Sequence, residues 1–117
     1  MTDPEFLKAL NSAKEVEITV TGRKSGRSVS TPVWFVYEGT KLYLVPVNGS
    51  DSNWYRNLVA KPEMQIAAKG RTVPVKASPM SDASKVKEVV EKLRSKYGAA
   101  EVKKYYSKPD VAVEIAL

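Results

Sequence analysis

Hydrophobic residues in this chain recur with two different periods, and the switches between them mark the elements. Phe6, Leu7 and Leu10 fall at helical spacing behind Pro4, a residue tolerated in a first helical turn, so the spacing predicts a short helix over 4–12. Val16, Ile18 and Val20 then alternate with Glu15, Glu17, Thr19 and Thr21, the period of a half-buried strand that stops at Gly22. Beyond the loop Arg23 to Arg27, residues 28–38 are rich in β-branched and aromatic types and read as one long strand. Its hairpin partner is 41–47, across Glu38-Gly39-Thr40. A polar turn, Asn48 to Asp51, leads into a helix over 52–60 that stops before Lys61-Pro62.

Strands over 63–68 and 71–78 follow, joined by Lys69-Gly70. The helix after them is capped by Ser81. It places Val86, Val89, Val90, Leu93 and Tyr97 on one face and ends at Gly98. A further helical stretch carries Tyr105 and Tyr106, and Val111, Val113 and Ile115 form a closing strand. Six strands linked by hairpins, without repeated β-helix-β crossovers, predict a six-stranded antiparallel split β-barrel with peripheral helices.

At 117 residues the chain suits one domain over 1–117, and 43% hydrophobic with 27% charged residues is a globular composition. The longest apolar run, Val33 to Tyr37, is far below the ~20 residues of a membrane span. The stretch Met1-Thr2-Asp3-Pro4-Glu5-Phe6 lacks the basic and apolar regions of a secretory signal, so the expected location is cytoplasmic. Without a single Cys or His, thiolate nucleophiles, imidazole bases, and Cys- or His-ligated metals and haem are excluded. An enzyme built from such a chain takes its reactive group from a cofactor.

The net charge of +6 is unevenly spread. Residues 1–20 carry −2, whereas 21–60 carry +3 and 61–80 a further +3, so the middle of the chain is suited to an anionic ligand. Within it, Thr21-Gly22-Arg23-Lys24-Ser25-Gly26-Arg27 combines glycines, cations and hydroxyls as an anion cradle would, although it lacks the Walker spacing. A solvated turn is the alternative. The segment Asn48 to Leu58 feeds a polar turn into a helix N-terminus, where Trp54 either covers an aromatic ligand or packs with Leu58. Neither face of 28–38 is plainly polar, which implies cover by the core on one side and by a ligand or second subunit on the other. Tyr105 and Tyr106 are either core anchors or a hydroxyl-bearing lid.

Thr21-Gly22-Arg23-Lys24-Ser25-Gly26, then Thr31-Pro32-Val33, then Trp54-Tyr55-Arg56-Asn57-Leu58-Val59-Ala60-Lys61-Pro62-Glu63 together resemble the deazaflavin-dependent nitroreductase family. This is a branch of the split-barrel flavin-binding proteins that also contains pyridoxamine 5′-phosphate oxidase-like enzymes. The likeness covers about residues 16 to 79, with Lys61 where the family commonly has Asn. It implies a homodimeric split barrel that binds the deazaflavin coenzyme F420, or alternatively FMN. It also implies hydride transfer to an electron-poor small molecule such as a nitroaromatic, quinone or enone.

By the same resemblance Arg23, Lys24, Ser25 and Arg27 hold the phosphate end of the cofactor. Thr31, Pro32, Val33, Val45, Pro46 and Val47 line its ring, Trp54, Arg56 and Asn57 close the site, and Tyr105 and Tyr106 stand on the substrate side. Two other classes fit the composition: a small basic barrel binding single-stranded nucleic acid, and a flavin-binding protein without catalysis.

Overall fold

The computed structural model describes residues 4–106 and 109–117; Met1, Thr2 and Asp3 of the N-terminal reading lie outside them. The chain runs α1 (Pro4–Ser12), β1 (Val16–Thr21), β2 (Ser28–Val33), β3 (Phe35–Glu38) and β4 (Lys41–Leu44). A 3₁₀ turn (Gly49–Asp51) then precedes α2 (Asn53–Ala60), β5 (Glu63–Ala68), β6 (Arg71–Met80), α3 (Ala83–Tyr97), α4 (Ala99–Tyr105) and β7 (Ala112–Ala116). All pairings are antiparallel, in the order β2-β1-β5-β6-β7-β4-β3.

The first and last strands of that order are the two halves of the segment read as one long strand. The sheet therefore curls round until its ends meet at Trp34. This corrects the expected six strands to seven: the segment 28–38 is broken at Trp34, with its first half paired to β1 and its second to β4. The break is held from outside the sheet. The Tyr97 hydroxyl accepts the Phe35 N–H at 3.2 Å, and Lys96 donates to the Phe35 carbonyl at 3.0 Å. At the opposite seam the ten-residue β6 pairs with β5 through Arg71–Lys76 and with β7 through Ala77–Met80, so one strand serves both halves of the sheet.

Prolines sit where pairing is one-sided. Pro32 lies in β2, which pairs only with β1, and Pro74 lies in the part of β6 that pairs only with β5, so neither interrupts a ladder on both sides.

Two cores result. One fills the barrel, where Ile18, Leu42, Leu44, Ile66 and Ile115 are fully buried with Phe6 and Leu10 of α1 and Leu58 of α2; each large side chain there contributes ~1.5–3 kcal/mol of transfer free energy. The other joins Val36, Val45 and Ala112 to the apolar face of α3, Val86, Val89, Val90 and Leu93, with Val102 and Tyr106. Asp82 rather than Ser81 is the N-cap of α3. Gly98 ends it at φ 101°, a conformation open to glycine, and its carbonyl accepts the Val102 N–H that starts α4. That sharp turn is what returns Tyr105 and Tyr106 over Trp34. No helix among the described residues is long and apolar enough to cross a membrane.

Candidate functional site

A cavity of about 640 Å³ opens along β2, a volume within the ~300–1,000 Å³ of ordinary small-molecule sites. Thr31, Pro32 and Val33 of β2 form one wall and Val45 and Val47 after β4 another. Trp54 and Asn57 of α2 and the pair Tyr105 and Tyr106 complete it, so nine of the fifteen residues singled out in the sequence meet here. Val29 and Trp34, from the same long segment, also line it, as do Asn48, Ser52 and Asn53 of the polar turn.

Glu15 lines the cavity too, and no sequence signal marks it, because its place in the alternation ahead of β1 is that of a solvent-facing residue. Only the register Val16↔Val33 brings it beside Trp34.

The remaining candidates stand outside the wall. Pro46 is buried, and its carbonyl accepts the Gly49 N–H at 3.0 Å, organising the turn. Arg56 reaches back to the 3₁₀ turn, donating to the Ser50 carbonyl at 3.3 Å and pairing with Asp51 at 3.1 Å. Ser25 structures its own loop: its hydroxyl accepts the Arg27 N–H at 3.2 Å and lies 2.7 Å from where a Cβ on residue 22 would be, which is why that position is Gly. Arg23, Lys24 and Arg27 are exposed on the same β1–β2 loop.

That loop is tied to the cavity through Asn57. The buried Asn57 Oδ1 accepts both the Arg23 backbone N–H at 3.1 Å and the Arg23 guanidinium at 2.7 Å. The groove therefore has two chemically different ends, separated by the six residues of β1, roughly 17 Å at strand rise. One end is tied to the β1–β2 loop through the Arg23–Asn57 bonds; the other holds Glu15, Trp34, Tyr105 and Tyr106.

At the aromatic end Trp34 stacks on Tyr97 at 4.2 Å and 6° between planes, and Tyr105 stands at 83° to it. Tyr97 donates its hydroxyl proton to the Lys14 carbonyl at 2.6 Å, fixing the chain just before Glu15. Burial pushes the Tyr106 phenol up to about 12, so it faces the cavity as a neutral hydroxyl. The N-terminus of the 3₁₀ turn is already satisfied: Asp110 accepts from the Ser50 N–H at 2.9 Å and the Ser50 hydroxyl at 2.6 Å. Among the described residues no group of His, Cys, Asp or Glu could hold a metal ion.

A family model described as "Uncharacterized protein conserved in bacteria (DUF2255)" matches residues 6–115. The chain belongs to the DUF2255 family. Solved structures give this DUF2255 chain its fold relatives. An F420-H2 dependent reductase (FDR-A) superposes with a TM-score of 0.67 at 22% identity, over 87% of this chain and 93% of that one. HutZ, the heme storage protein from Vibrio cholerae, gives 0.72 at 15% identity over 97% and 88%. A protein described as a candidate pyridoxamine 5′-phosphate oxidase from Listeria innocua gives 0.70 at 16% over 96% and 90%. The DUF2255 chain thus shares the split-barrel fold of all three, a fold whose functions differ and must be argued from the site.

Proposed function

We propose that the groove along β2 binds a flavin or deazaflavin cofactor, F420 or FMN, and that the protein is an oxidoreductase transferring a hydride to an electron-poor small molecule. The observation that carries this reading is the polarity of the groove. It is a mostly apolar slot of the right volume, with three cations beyond one end and tyrosine hydroxyls at the other.

The donor set fits such a group. Lys24 and Arg27 project from the loop with no protein carboxylate paired to them among the described residues, and Arg23 is fixed by Asn57. Phosphate or carboxylate oxygens at that end receive charge-assisted hydrogen bonds. Thr31, Pro32, Val33, Val45 and Val47 supply a flat apolar surface for a ring, and Trp54 closes one side. When bound, the cofactor supplies the hydride; the chain has neither His nor Cys and contributes orientation, exclusion of water and hydroxyl donors. Tyr106, protonated throughout the physiological range, donates a hydrogen bond to a ligand at the inner end, and Tyr105 covers it from outside.

Val29 and Val47 line the groove yet remain 41% and 44% exposed. A second copy of the chain seated on this rim covers them, so a homodimer is part of the proposal.

Trp34 and Trp54 both line the groove and report on its occupancy. FMN and F420 are titrated against Trp fluorescence, with saturable quenching expected well below millimolar. In the Lys24→Gln/Arg27→Gln variant affinity falls at least tenfold, while the thermal midpoint of the cofactor-free protein stays unchanged. No response to either cofactor at ~1 mM, which is binding weaker than ~4 kcal/mol, overturns the reading. Turnover of the reduced cofactor then distinguishes an enzyme from a carrier, and light scattering with cofactor present tests the dimer.

A further inference from the structure

Glu15 is the sole charged side chain lining the groove among the described residues, in a chain whose net charge is +6. No hydrogen bond or ion pair within the described residues engages its carboxylate. The register Val16↔Val33 sets Glu15, itself exposed, opposite Trp34, which gathers the rings of this end. Trp34 has one face stacked on Tyr97, Tyr105 lies 5.6 Å away at 83°, and Tyr106 lies 6.0 Å away at 43°. All three line the groove together with Glu15, and the nearly perpendicular Tyr105 ring makes a corner with Trp34.

An aromatic corner attracts cations through the ring quadrupoles, and a carboxylate adds a full charge in the same place. The Tyr105 ring already has the Lys104 ammonium 5.3 Å from its centre, although Lys104 does not line the groove. An anionic ligand gains nothing from this end, and a neutral one does not use Glu15.

We propose that the Glu15, Trp34, Tyr105 and Tyr106 end of the groove is a binding subsite for a planar organic cation. The subsite stands on the groove's own geometry; that its occupant is the hydride acceptor rests on the function proposed above. Such an acceptor would take a hydride from the reduced flavin or deazaflavin at an iminium carbon. The new C–H bond would form as the C=N π pair becomes the nitrogen lone pair, the cofactor would be left oxidised, and from an aromatic N-heterocyclic cation the product would be a neutral, weakly basic amine conjugated with its ring. Loss of the positive charge weakens the attraction to Glu15 and favours release.

The test uses two probes of one shape, N-methylquinolinium and quinoline, the second neutral at pH 8, measured by equilibrium dialysis against the full-length protein without cofactor. The cation is expected to bind at least tenfold more tightly. Glu15→Gln reduces that preference to about twofold or less and leaves quinoline affinity unchanged. Glu17→Gln, two residues further on in β1 but outside the groove, keeps the full preference and controls for overall charge.

Equal affinity for the two probes, a preference that survives Glu15→Gln, or equal losses in the two variants would each overturn the proposal. Circular dichroism of both variants establishes that they fold. Should Glu15→Gln not fold, Glu15→Asp replaces it, and an unchanged preference on withdrawing the carboxylate by one methylene counts against the subsite. Cation selectivity without response to FMN or F420 leaves the subsite standing and removes the cofactor reading, and the reverse result does the opposite.

Discussion

Replacing Asn57 by Ala tests how the β1–β2 loop is positioned. Asn57 is 6% exposed, and its single carbonyl oxygen accepts two donors from Arg23, which also fixes the orientation of the amide. The backbone N–H bond at 3.1 Å is neutral and contributes about 0.5–1.5 kcal/mol; the guanidinium bond at 2.7 Å is charge-assisted and contributes about 1.5–3 kcal/mol. Arg23 is on an exposed loop and regains water when Asn57 is removed, so the lower part of the combined range applies, about 2–3 kcal/mol. Little is added for a void, because Asn57 lines an open groove that water refills.

Equilibrium urea unfolding measures the loss, and Asn57→Asp, which keeps the acceptor, recovers most of it. A double-mutant cycle with Arg23→Ala isolates the side-chain bond, with an expected coupling of about 1–2 kcal/mol. Amide exchange at Arg23 and Gly26 accelerates in Asn57→Ala, since the loop's own bonds, Gly22 N–H to the Arg27 carbonyl and Gly26 N–H to the Gly22 carbonyl, lose their anchor. A loss under about 0.5 kcal/mol together with zero coupling would refute the reasoning and make Asn57 a bystander.

Tyr97→Phe keeps the stack on Trp34 but leaves the Phe35 N–H and the Lys14 carbonyl without the hydroxyl, and is expected to cost about 1–2 kcal/mol in thermal or urea unfolding. Alkaline stability depends on Tyr106. Its phenol is pushed up to about 12 against 10.0 in the open chain, so its contribution is complete below pH 10 and is lost as pH rises through 12. The loss is under about 3 kcal/mol because solvent screens part of it, and Tyr106→Phe flattens the decline in a pH series of unfolding measurements.

Elements set by local period were legible in the sequence. The alternation of Val16, Ile18 and Val20 is the buried face of β1, and the spacing of Val86, Val89, Val90 and Leu93 is the buried face of α3. The break at Trp34 was not legible, since nothing in Val33-Trp34-Phe35 departs from strand chemistry; its cause is Tyr97, 62 residues away from Phe35. The segment 41–47 ends early as a strand for a similar reason, because the Pro46 carbonyl is committed to the turn at Gly49.

The site divides in the same way. Thr31, Pro32, Val33, Trp54 and Asn57 are named by the family resemblance and line the cavity, whereas Glu15 acquires its place only through cross-strand register. Arg23 and Asn57 were both singled out, yet their hydrogen bond to each other emerges only from the fold.

The curled sheet has consequences for how the protein behaves in a crowded solution. Wherever a strand lacks a neighbour it offers backbone groups to another chain, and that is the route to edge-to-edge aggregation. Here such places are blunted by two devices: Pro32 has no N–H to offer on β2 and Pro74 none on β6, while on β3 the Phe35 N–H and carbonyl are capped by Tyr97 and Lys96. The residues that shape the groove at Trp34 and Pro32 therefore also suppress amyloid-like pairing. A laboratory search for altered ligand preference at these positions would meet insolubility before it met loss of binding, so substitutions there need to preserve the proline and the tyrosine cap.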